Sequence, residues 1–300
     1  MQIPVGDTRN GKTVLDVIKK ELRLSSKTLA FLKKRKNGIT VDSTHVTVRH
    51  ILRAGEVLSL DISDADEGEN ENLVPTDLPL DIICEDDDII ALNKPPYMPT
   101  HPSHGHFDDT LANALCFYMR NVKGEPFVFR AVSRLDRCTS GIILVAKNRV
   151  SACKLCDAMQ KHNFSKEYLA VLSGTPEKDE GVIETYIRRR EKSIITREVC
   201  KKADGGDYAL TRYKVIAKKD GFSLVRAFPV TGRTHQLRLH FSHIGCPILG
   251  DDLYGSPSDL IGRQALHAFS LSFPHPTTGR VIRLEAPLPP DMKDLYDFFV

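Results

Sequence analysis

The sequence contains no membrane-spanning segment, because no stretch approaches the roughly 18 consecutive apolar residues that a transmembrane helix needs. Residues 1–10 also lack the apolar core of a secretory signal. The seven cysteines are irregularly spaced, which in a chain without a signal predicts reduced thiols rather than disulfides. We therefore expect a cytoplasmic protein with no membrane partner.

Motifs for common cofactors and metals are missing as well. The chain has neither the phosphate loop GxxxxGK(S/T) nor a GxGxxG in a dinucleotide-binding context. Cys153 and Cys156 form a lone CxxC without the second ligand pair of a zinc site. His101, His104 and His106 have a spacing that can bind metal, but the proline-containing segment around them favours a loop near a substrate. We expect no cofactor and no metal.

What is present is an ordinary globular composition with an uneven charge distribution. Hydrophobic residues make up 41% of the 300 residues, and the formal net charge is +3, which is typical of a large domain with a small companion. Residues 1–62 hold 12 basic and 6 acidic residues, residues 63–110 hold 1 and 13, and residues 111–300 hold 29 and 20. Two basic regions around an acidic segment suit a polyanionic partner, but charge fluctuates along any chain, and charge alone does not establish nucleic-acid binding.

Residues 1–62 predict a small domain of two helices followed by a small sheet. Apolar residues recur at helical spacing in the first half and alternate with polar residues in the second. The second predicted helix is rich in lysine, which suits phosphate binding. A solvated helix face would carry the same charges, and this segment alone does not separate the two interpretations. The order of its elements resembles the small RNA-binding domain first described in a ribosomal protein of the small subunit, and this resemblance favours RNA binding. The candidate RNA-binding residues here are Lys27, Lys33, Lys34 and Lys36.

The acidic, polar residues 63–77 predict a flexible linker, and residues 78–300 predict a larger catalytic domain. Many strands with few intervening helices indicate an α+β fold with a mostly antiparallel mixed sheet. The strands expected nearest the chemistry are residues 127–132, 141–146, 167–172 and 222–228.

A charged loop at residues 134–141 supplies the first candidate for chemistry. Asp136 lies between Arg134 and Arg137, directly before a strongly apolar strand. An ionised carboxylate on a rigid frame can act as a nucleophile or as a general base. A structural ion pair explains the same residues, and spacing alone favours that alternative.

The second candidate follows the strand that ends near residue 230. There, Thr231-Gly232 is expected to turn the chain into a helix with Leu237 on its apolar face. The polar residues of this segment suit phosphates, ribose hydroxyls and base edges, although an amphipathic helix with a polar face is the simpler explanation. They are Arg233, His235, Gln236, Arg238 and His240.

The third candidate is Lys166-Glu167-Tyr168 on a predicted strand. Side chains alternate along a strand, so Lys166 and Tyr168 share one face. A tyrosine in a cleft can stack on a base or move a proton, whereas a lone tyrosine more often belongs to the core.

With these residues in hand, the chain resembles the RluA-type RNA pseudouridine synthases over about residues 80–290. Several spaced motifs occur in the order found in that family, and a small RNA-binding domain is a common companion there. The motifs are residues 93–96, 101–103 and 110–111, Arg134-Leu135-Asp136, residues 139–141, 166–171, 232–240, 245–255, 266–268, 275–276 and 286–289. One departure is Ser133, which stands where the family usually has histidine.

The resemblance implies that the protein isomerises uridine to pseudouridine in structured RNA without a cofactor. It implies that Asp136 is the catalytic carboxylate, that Arg238 pairs with it, and that Tyr168 stacks on the uracil or acts as a base. Arg134, Arg137, Lys166, Arg233, His235 and Gln236 are then expected to bind RNA. Large-subunit ribosomal RNA is the expected substrate of a monomeric enzyme, and transfer RNA is the alternative.

Two other functions compete with this hypothesis. A non-catalytic RNA-binding protein on the same fold would be expected to have lost Asp136, Tyr168 and Arg238, and all three are present. A hydrolase with a carboxylate nucleophile usually needs a second acid–base carboxylate or a metal cluster, and no such spacing stands out.

Overall fold

The computed structural model describes residues 1–24, 26–62, 73–191, 193 and 195–300. The N-terminal part forms a four-stranded antiparallel sheet in the order β1-β4-β2-β3. Its strands are β1 (Gln2–Pro4), β2 (Ile39–Val41), β3 (Thr44–His45) and β4 (Val57–Leu60). Its helices are α1 (Val14–Asp16), continued by a π-helical turn at Val17–Glu21, and α2 (Ser26–Lys34). The two helices and the small sheet match the prediction, except that β1 was not foreseen.

The rest of the chain is built on a ten-stranded sheet that runs in the order β10-β9-β11-β12-β8-β13-β7-β6-β5, with β14 paired to β13. Among the described strand pairs only β13 and β7 are parallel, so the predicted α+β class with a mostly antiparallel mixed sheet is confirmed. The strands are β5 (Ile82–Glu85), β6 (Ile89–Lys94), β7 (Ser140–Ala146), β8 (Ser165–Ser173), β9 (Glu180–Arg189), β10 (Arg197–Cys200), β11 (Asp207–Lys219), β12 (Phe222–Pro229), β13 (Leu266–Pro274) and β14 (Val281–Glu285).

In the described part of the chain, four α-helices accompany this sheet: α3 (Leu111–Phe117), which a π-helical turn at Tyr118–Val122 continues, α4 (Arg149–Gln160), α5 (Gln236–His243) and α6 (Pro290–Phe299). Thr110 and Asn113 form a capping box that starts α3, and the Asn148 side chain accepts from the Ser151 amide to cap α4. None of the helices in the described parts of the chain is long and apolar enough to cross a membrane.

The small sheet domain packs against α4. Val150 of α4 is buried in the apolar cluster of the N-terminal domain, and Cys153 packs against the same cluster. The guanidinium of Arg149 lies 4.1 Å from the centre of the Phe31 ring, and Arg23 forms an ion pair of 3.2 Å with Asp157. The N-terminal domain is therefore docked on the larger one through apolar and charged contacts.

Two expectations about the organisation of the chain need correction. Residues 127–132 do not form a strand with a ladder. They meet β7 at one isolated bridge, Ala131 to Val145, with hydrogen bonds from the Val132 amide to the Leu144 carbonyl and from the Ala146 amide to the Arg130 carbonyl, and the pairing extends no further. Residues 73–77 do not form a free linker. Leu73 is buried, and the Asn113 side chain donates to the Val74 carbonyl at 2.7 Å. Residues 63–72 of the predicted linker lie outside the described residues.

The start of β7 depends on a glycine. Gly141 has φ +109°, a left-handed conformation that side chains rarely adopt, and a Cβ there would collide with the backbone of Ala268. The parallel pairing of Gly141 with Ala268 of β13 brings the two strands together at this point. The glycine thus lets the loop before β7 lie directly beside β13.

Candidate active site

Four segments meet at a cleft of about 610 Å³ over the middle of the large sheet. They are the loop before β7, the side chains of β8, the turn between β12 and α5, and the loop after β6. Three predicted catalytic residues from distant parts of the sequence, Asp136, Tyr168 and Arg238, line this one cleft. The predicted RNA-binding residues that also line it are Arg134, Arg137, Lys166, Arg233, His235 and Gln236.

Asp136 lies beside a buried guanidinium. Its side chain is 28% exposed, and Nη1 of Arg238 lies 3.6 Å from Asp136 Oδ2. The opposite edge of Arg238 donates two hydrogen bonds of 2.7 Å to Asp251. Burial disfavours the charge of Arg238, but the hydrogen bonds that it donates to Asp251, together with the negative charge of Asp251, outweigh the effect of burial and raise the pKa of the guanidinium. Arg238 therefore presents a fixed positive charge to an accessible carboxylate.

Asp251 is the residue that orients this guanidinium. It has no exposed surface, and its Oδ1 also accepts from the amides of Leu253 and Tyr254 at 3.0 and 3.1 Å. A buried carboxylate with this many donors is well compensated. Sequence reasoning missed Asp251, although it lies inside the motif at residues 245–255.

His235 lies on the other side of Asp136, with Nε2 4.0 Å from Asp136 Oδ1. The Tyr254 hydroxyl accepts from the Arg197 amide at 2.7 Å and lies 2.9 Å from His235 Nδ1. Among the described contacts His235 Nδ1 is the one acceptor for the Tyr254 hydroxyl proton, so the hydroxyl donates to Nδ1 and leaves the imidazole proton on Nε2, facing Asp136. Burial lowers the pKa of His235, although Asp136 opposes the shift. The neutral ring can therefore donate toward the carboxylate.

Tyr168 and Lys166 face the cleft from the same side of β8, as predicted. Burial, assisted by the charge of Asp136, raises the pKa of Tyr168, so its side chain is a protonated phenol at neutral pH. A phenol can stack on a base or donate a hydrogen bond. Burial lowers the pKa of Lys166, whose Nζ contacts Met159 Sδ at 3.5 Å.

The backbone of the Asp136 loop is held by side chains from other segments. Thr100 donates to the Leu135 carbonyl at 3.0 Å. Nζ of the fully buried Lys94 donates to the Arg137 carbonyl at 3.0 Å, and Arg263 donates to the Cys138 carbonyl at 2.9 Å. Burial lowers the pKa of Lys94 to about 7, while its carbonyl partners favour the protonated form. These bonds restrict the carbonyls on both sides of Asp136.

The cationic side chains around the cleft differ in how free they are. Arg134 and Arg137 are exposed, and Arg233 is exposed with its Nε donating to the Tyr208 carbonyl at 2.9 Å. Gln236 is 4% exposed. Its oxygen accepts from Thr231 and the Arg233 amide, and its nitrogen donates to Leu210 and Thr211. Gln236 can reach RNA only if these bonds break. Its side chain instead stabilises the turn from which α5 begins.

The predicted lysines of the N-terminal domain lie on or just after α2. Lys33, Lys34 and Lys36 are exposed, and no ion pair is found for them among the described residues. The side chain of Lys27 lies outside the described residues. The neighbouring Arg35 instead turns inward to Asp61, with a distance of 3.2 Å.

One cluster has ligand atoms close enough for a metal: Asp86, Asp88 and His275. His275 Nδ1 accepts from the amides of Thr277 and Thr278, so its Nε2 carries the proton and donates to Asp86 at 3.0 Å. The cluster is thus held by its own hydrogen bonds. The three histidines at 101, 104 and 106 form no such group within the described chain; His101 lines the cleft and packs edge-on against Phe129.

The cleft combines an accessible carboxylate, a fixed cation and a protonated phenol, bordered by further cations. A carboxylate in this setting can attack an electrophilic carbon or remove a proton. Sequence reasoning located these groups but missed their supports Tyr254, Lys94 and Arg263. The one indication of these three residues in the sequence was that they lie in or near the motifs shared with the RluA-type enzymes.

The chain is similar to RNA pseudouridine synthases in sequence and in fold. Residues 88–243 match the family model described as RNA pseudouridylate synthase. The chain is 38% identical over 275 residues to the RNA pseudouridine synthase YjbO of Bacillus subtilis, which covers 92% of this chain and 95% of that protein. It is 35% identical over 277 residues to the ribosomal large subunit pseudouridine synthase D of Haemophilus ducreyi, covering 87% and 81%. The structure of human RNA pseudouridylate synthase domain containing 1 superposes with a TM-score of 0.58 at 29% identity, over 71% of this chain and 86% of that one.

Proposed function

Because the chain belongs to the RNA pseudouridylate synthase family, and is thus an isomerase that acts on RNA, we propose that it modifies large-subunit ribosomal RNA with Asp136 as its catalytic carboxylate. The observation that carries the role of Asp136 is its pairing with Arg238, whose other edge is bound to Asp251. The choice of RNA is supported by the similarity to a ribosomal large subunit enzyme and by the basic N-terminal domain.

The reaction breaks the bond between uracil N1 and ribose C1′, rotates the base and joins C5 to C1′. The hydrogen on C5 leaves as a proton and the freed N1 takes up a proton, so atoms and electrons balance without a redox partner. Asp136 takes part either by attacking C1′ or by removing a ribose proton to allow elimination. Both routes need the carboxylate ionised, and the guanidinium of Arg238 stabilises its negative charge.

The target uridine must leave its base stack to reach the cleft, which costs about a few kcal/mol. Tyr168 supplies an aromatic face for the extruded uracil and a hydroxyl proton for hydrogen bonding. Lys166 is a cation of lowered pKa in the wall of the cleft, and an RNA phosphate would compensate its charge. Arg134, Arg137 and Arg233 are the exposed cations that contact the adjoining backbone.

The exposed Lys33, Lys34 and Lys36 add a second basic surface, to which the partner strand of a folded RNA would bind. Contacts of this kind position RNA without reading its sequence. The docking of the N-terminal domain on α4 keeps this surface in a defined relation to the cleft.

The test uses transcripts carrying uridine tritiated at carbon 5, because formation of the new C–C bond releases the label to water. The full chain is mixed in parallel with a large-subunit ribosomal RNA transcript and with transfer RNA transcripts. We expect release from the ribosomal transcript and pseudouridine at one or a few positions of that RNA. Release from transfer RNA alone would replace the proposed substrate, and no release from either would contradict the proposal.

A further inference from the structure

Arg263 is a buried arginine outside the cleft, and it lies between the C-terminal helix and the Asp136 loop. Its side chain has no exposed surface. Nε and Nη2 donate to the two carboxylate oxygens of Asp291 at 2.7 and 2.9 Å. Asp291 is in the first turn of α6 and is separated from Arg263 by 28 positions. The bidentate pair fixes the plane of the guanidinium.

The same guanidinium reaches the loop that holds Asp136. Nη1 donates to the Cys138 carbonyl at 2.9 Å. Nη2 lies 3.3 Å from Ser140 Oγ, which is 2.9 Å from His267 Nδ1. Because His267 Nε2 donates to the Ala286 carbonyl, Nδ1 accepts from Ser140, and every polar group of this chain of bonds has a partner. The hydrogen bonds of Arg263 therefore hold the chain from Cys138, near the end of the loop, to Ser140, the first residue of β7.

The turn that carries Asp136 is short, so constraints at Cys138 act on Asp136 itself. The Thr139 amide donates to the Asp136 carbonyl at 3.1 Å, which closes the turn over residues 136–139. A shift of the Cys138 carbonyl would therefore move the carboxylate relative to Arg238. A displacement of about 1 Å in a reacting group can lower a rate roughly 100-fold.

We propose that Asp291 and Arg263 are positioning residues for the reaction, through which the C-terminal helix fixes the orientation of Asp136. The inference rests on the proposed role of Asp136. Neither residue lines the cleft, so both act through the Cys138 carbonyl and the turn. The pairing also suits the charges, because hydrogen bonds from Arg263 lower the pKa of Asp291 despite its burial.

The test compares Asp291→Asn with Asp297→Asn, a matched change on the same helix at an exposed ion pair with Lys293. Arg263→Lys is a second variant that keeps the charge facing Asp291, while its single ammonium cannot span both Asp291 and Cys138. Single-turnover tritium release is measured with enzyme in excess over the ribosomal transcript that the wild-type enzyme modifies but below saturation, so that the rate is proportional to the concentration of folded enzyme. Each rate is corrected for the folded fraction measured by circular dichroism, and RNA affinity is measured separately.

We expect single-turnover rates roughly 10- to 100-fold lower in Asp291→Asn and Arg263→Lys, with RNA affinity within about twofold of the wild type. Asp297→Asn should match the wild type. A purely structural role predicts fewer folded molecules with a normal corrected rate, and that result would overturn the inference. If Asp291→Asn fails to fold, a normal corrected rate in Arg263→Lys overturns it. Asp136→Asn separates a failure of this inference from a failure of the proposed function. Full activity in that variant would overturn the proposed function together with this inference.

Discussion

The guanidinium of Arg238 lies 3.6 Å from the carboxylate of Asp136, and this distance joins two residues that are about 100 positions apart in the sequence. The 2.7 Å bonds from Arg238 to Asp251 leave only one edge of the guanidinium for Asp136. The geometry needs three nitrogens in a fixed plane, which only arginine provides.

Arg238→Lys should therefore lower turnover even though it keeps the charge. A lysine ammonium can satisfy Asp251 or approach Asp136, but it cannot hold both at the observed distances. We expect a single-turnover rate roughly 100-fold lower, with little change in RNA affinity. Turnover equal to that of the wild type would show that the bidentate geometry is not required.

Tyr254→Phe should disturb His235 without removing it. The variant loses the hydroxyl that donates to His235 Nδ1, so the imidazole proton is no longer confined to Nε2. We expect about a tenfold lower rate and a mixture of tautomers in the nitrogen NMR spectrum of His235. Tyr296→Phe, a change of the same kind in α6, is the control. An unchanged spectrum in Tyr254→Phe would contradict the assignment of the tautomer.

The stability of the protein should fall on the acid side of neutrality because of two buried histidines. Burial lowers the pKa of His240 and His267 to about 4, from an ordinary value of 6.5. Between these values the unfolded chain binds protons that the folded chain does not, so the free energy of unfolding decreases as the pH falls from 6.5 to 4. The loss is roughly 3 kcal/mol for each histidine.

Urea unfolding at several pH values measures this effect. His267→Gln keeps an acceptor for Ser140 and a donor for Ala286 but cannot take the proton, so its stability should depend less steeply on pH. His104→Gln, at an exposed position, should follow the wild type. Equal slopes for His267→Gln and the wild type would contradict a neutral, buried His267.

Gly141→Ala should destabilise the catalytic domain. The alanine would have to adopt φ +109° and its Cβ would meet the Ala268 backbone. We expect a free energy of unfolding lower by about 3 kcal/mol or more, measured by urea titration. Gly279→Ala also has a positive φ but no heavy atom within 4 Å of the added Cβ, so it separates the effect of φ from the effect of the collision. Equal losses in the two variants would show that the parallel strand crossing does not restrict this position.

The N-terminal lysines should contribute to RNA affinity through charge alone. Deleting residues 1–62 is a poor test, because the deletion would expose Val150 on α4. The substitution of Lys33, Lys34 and Lys36 by alanine should instead reduce the slope of log affinity against log salt by about 2 to 3. The matched control replaces Lys214, Lys218 and Lys293, which are paired with carboxylates. An equal change of slope in the control would contradict a specific contact between RNA and the lysines at 33, 34 and 36.

The sequence was sufficient for the α+β class and for most strands near the cleft, because β7, β8 and β12 are apolar runs bounded by clear turns. It was insufficient for residues 127–132, whose apolar side chains cover the core without a ladder, since hydrophobic pattern does not report pairing. Asp136, Tyr168 and Arg238 stood in recognisable motifs. The roles of Asp251 and Arg263 depend on contacts between distant segments, and no local pattern encodes such contacts.

The most direct test of the account is the single-turnover conversion of tritiated ribosomal RNA by Asp136→Asn. The variant replaces one carboxylate oxygen by an amide nitrogen of similar size, so fold and RNA affinity should be nearly unchanged. The matched control is Asp220→Asn, in the exposed turn that joins β11 to β12. We predict a rate at least about 1,000-fold lower for Asp136→Asn and a normal rate for the control. Pseudouridine formation at the wild-type rate by Asp136→Asn would contradict the central claim.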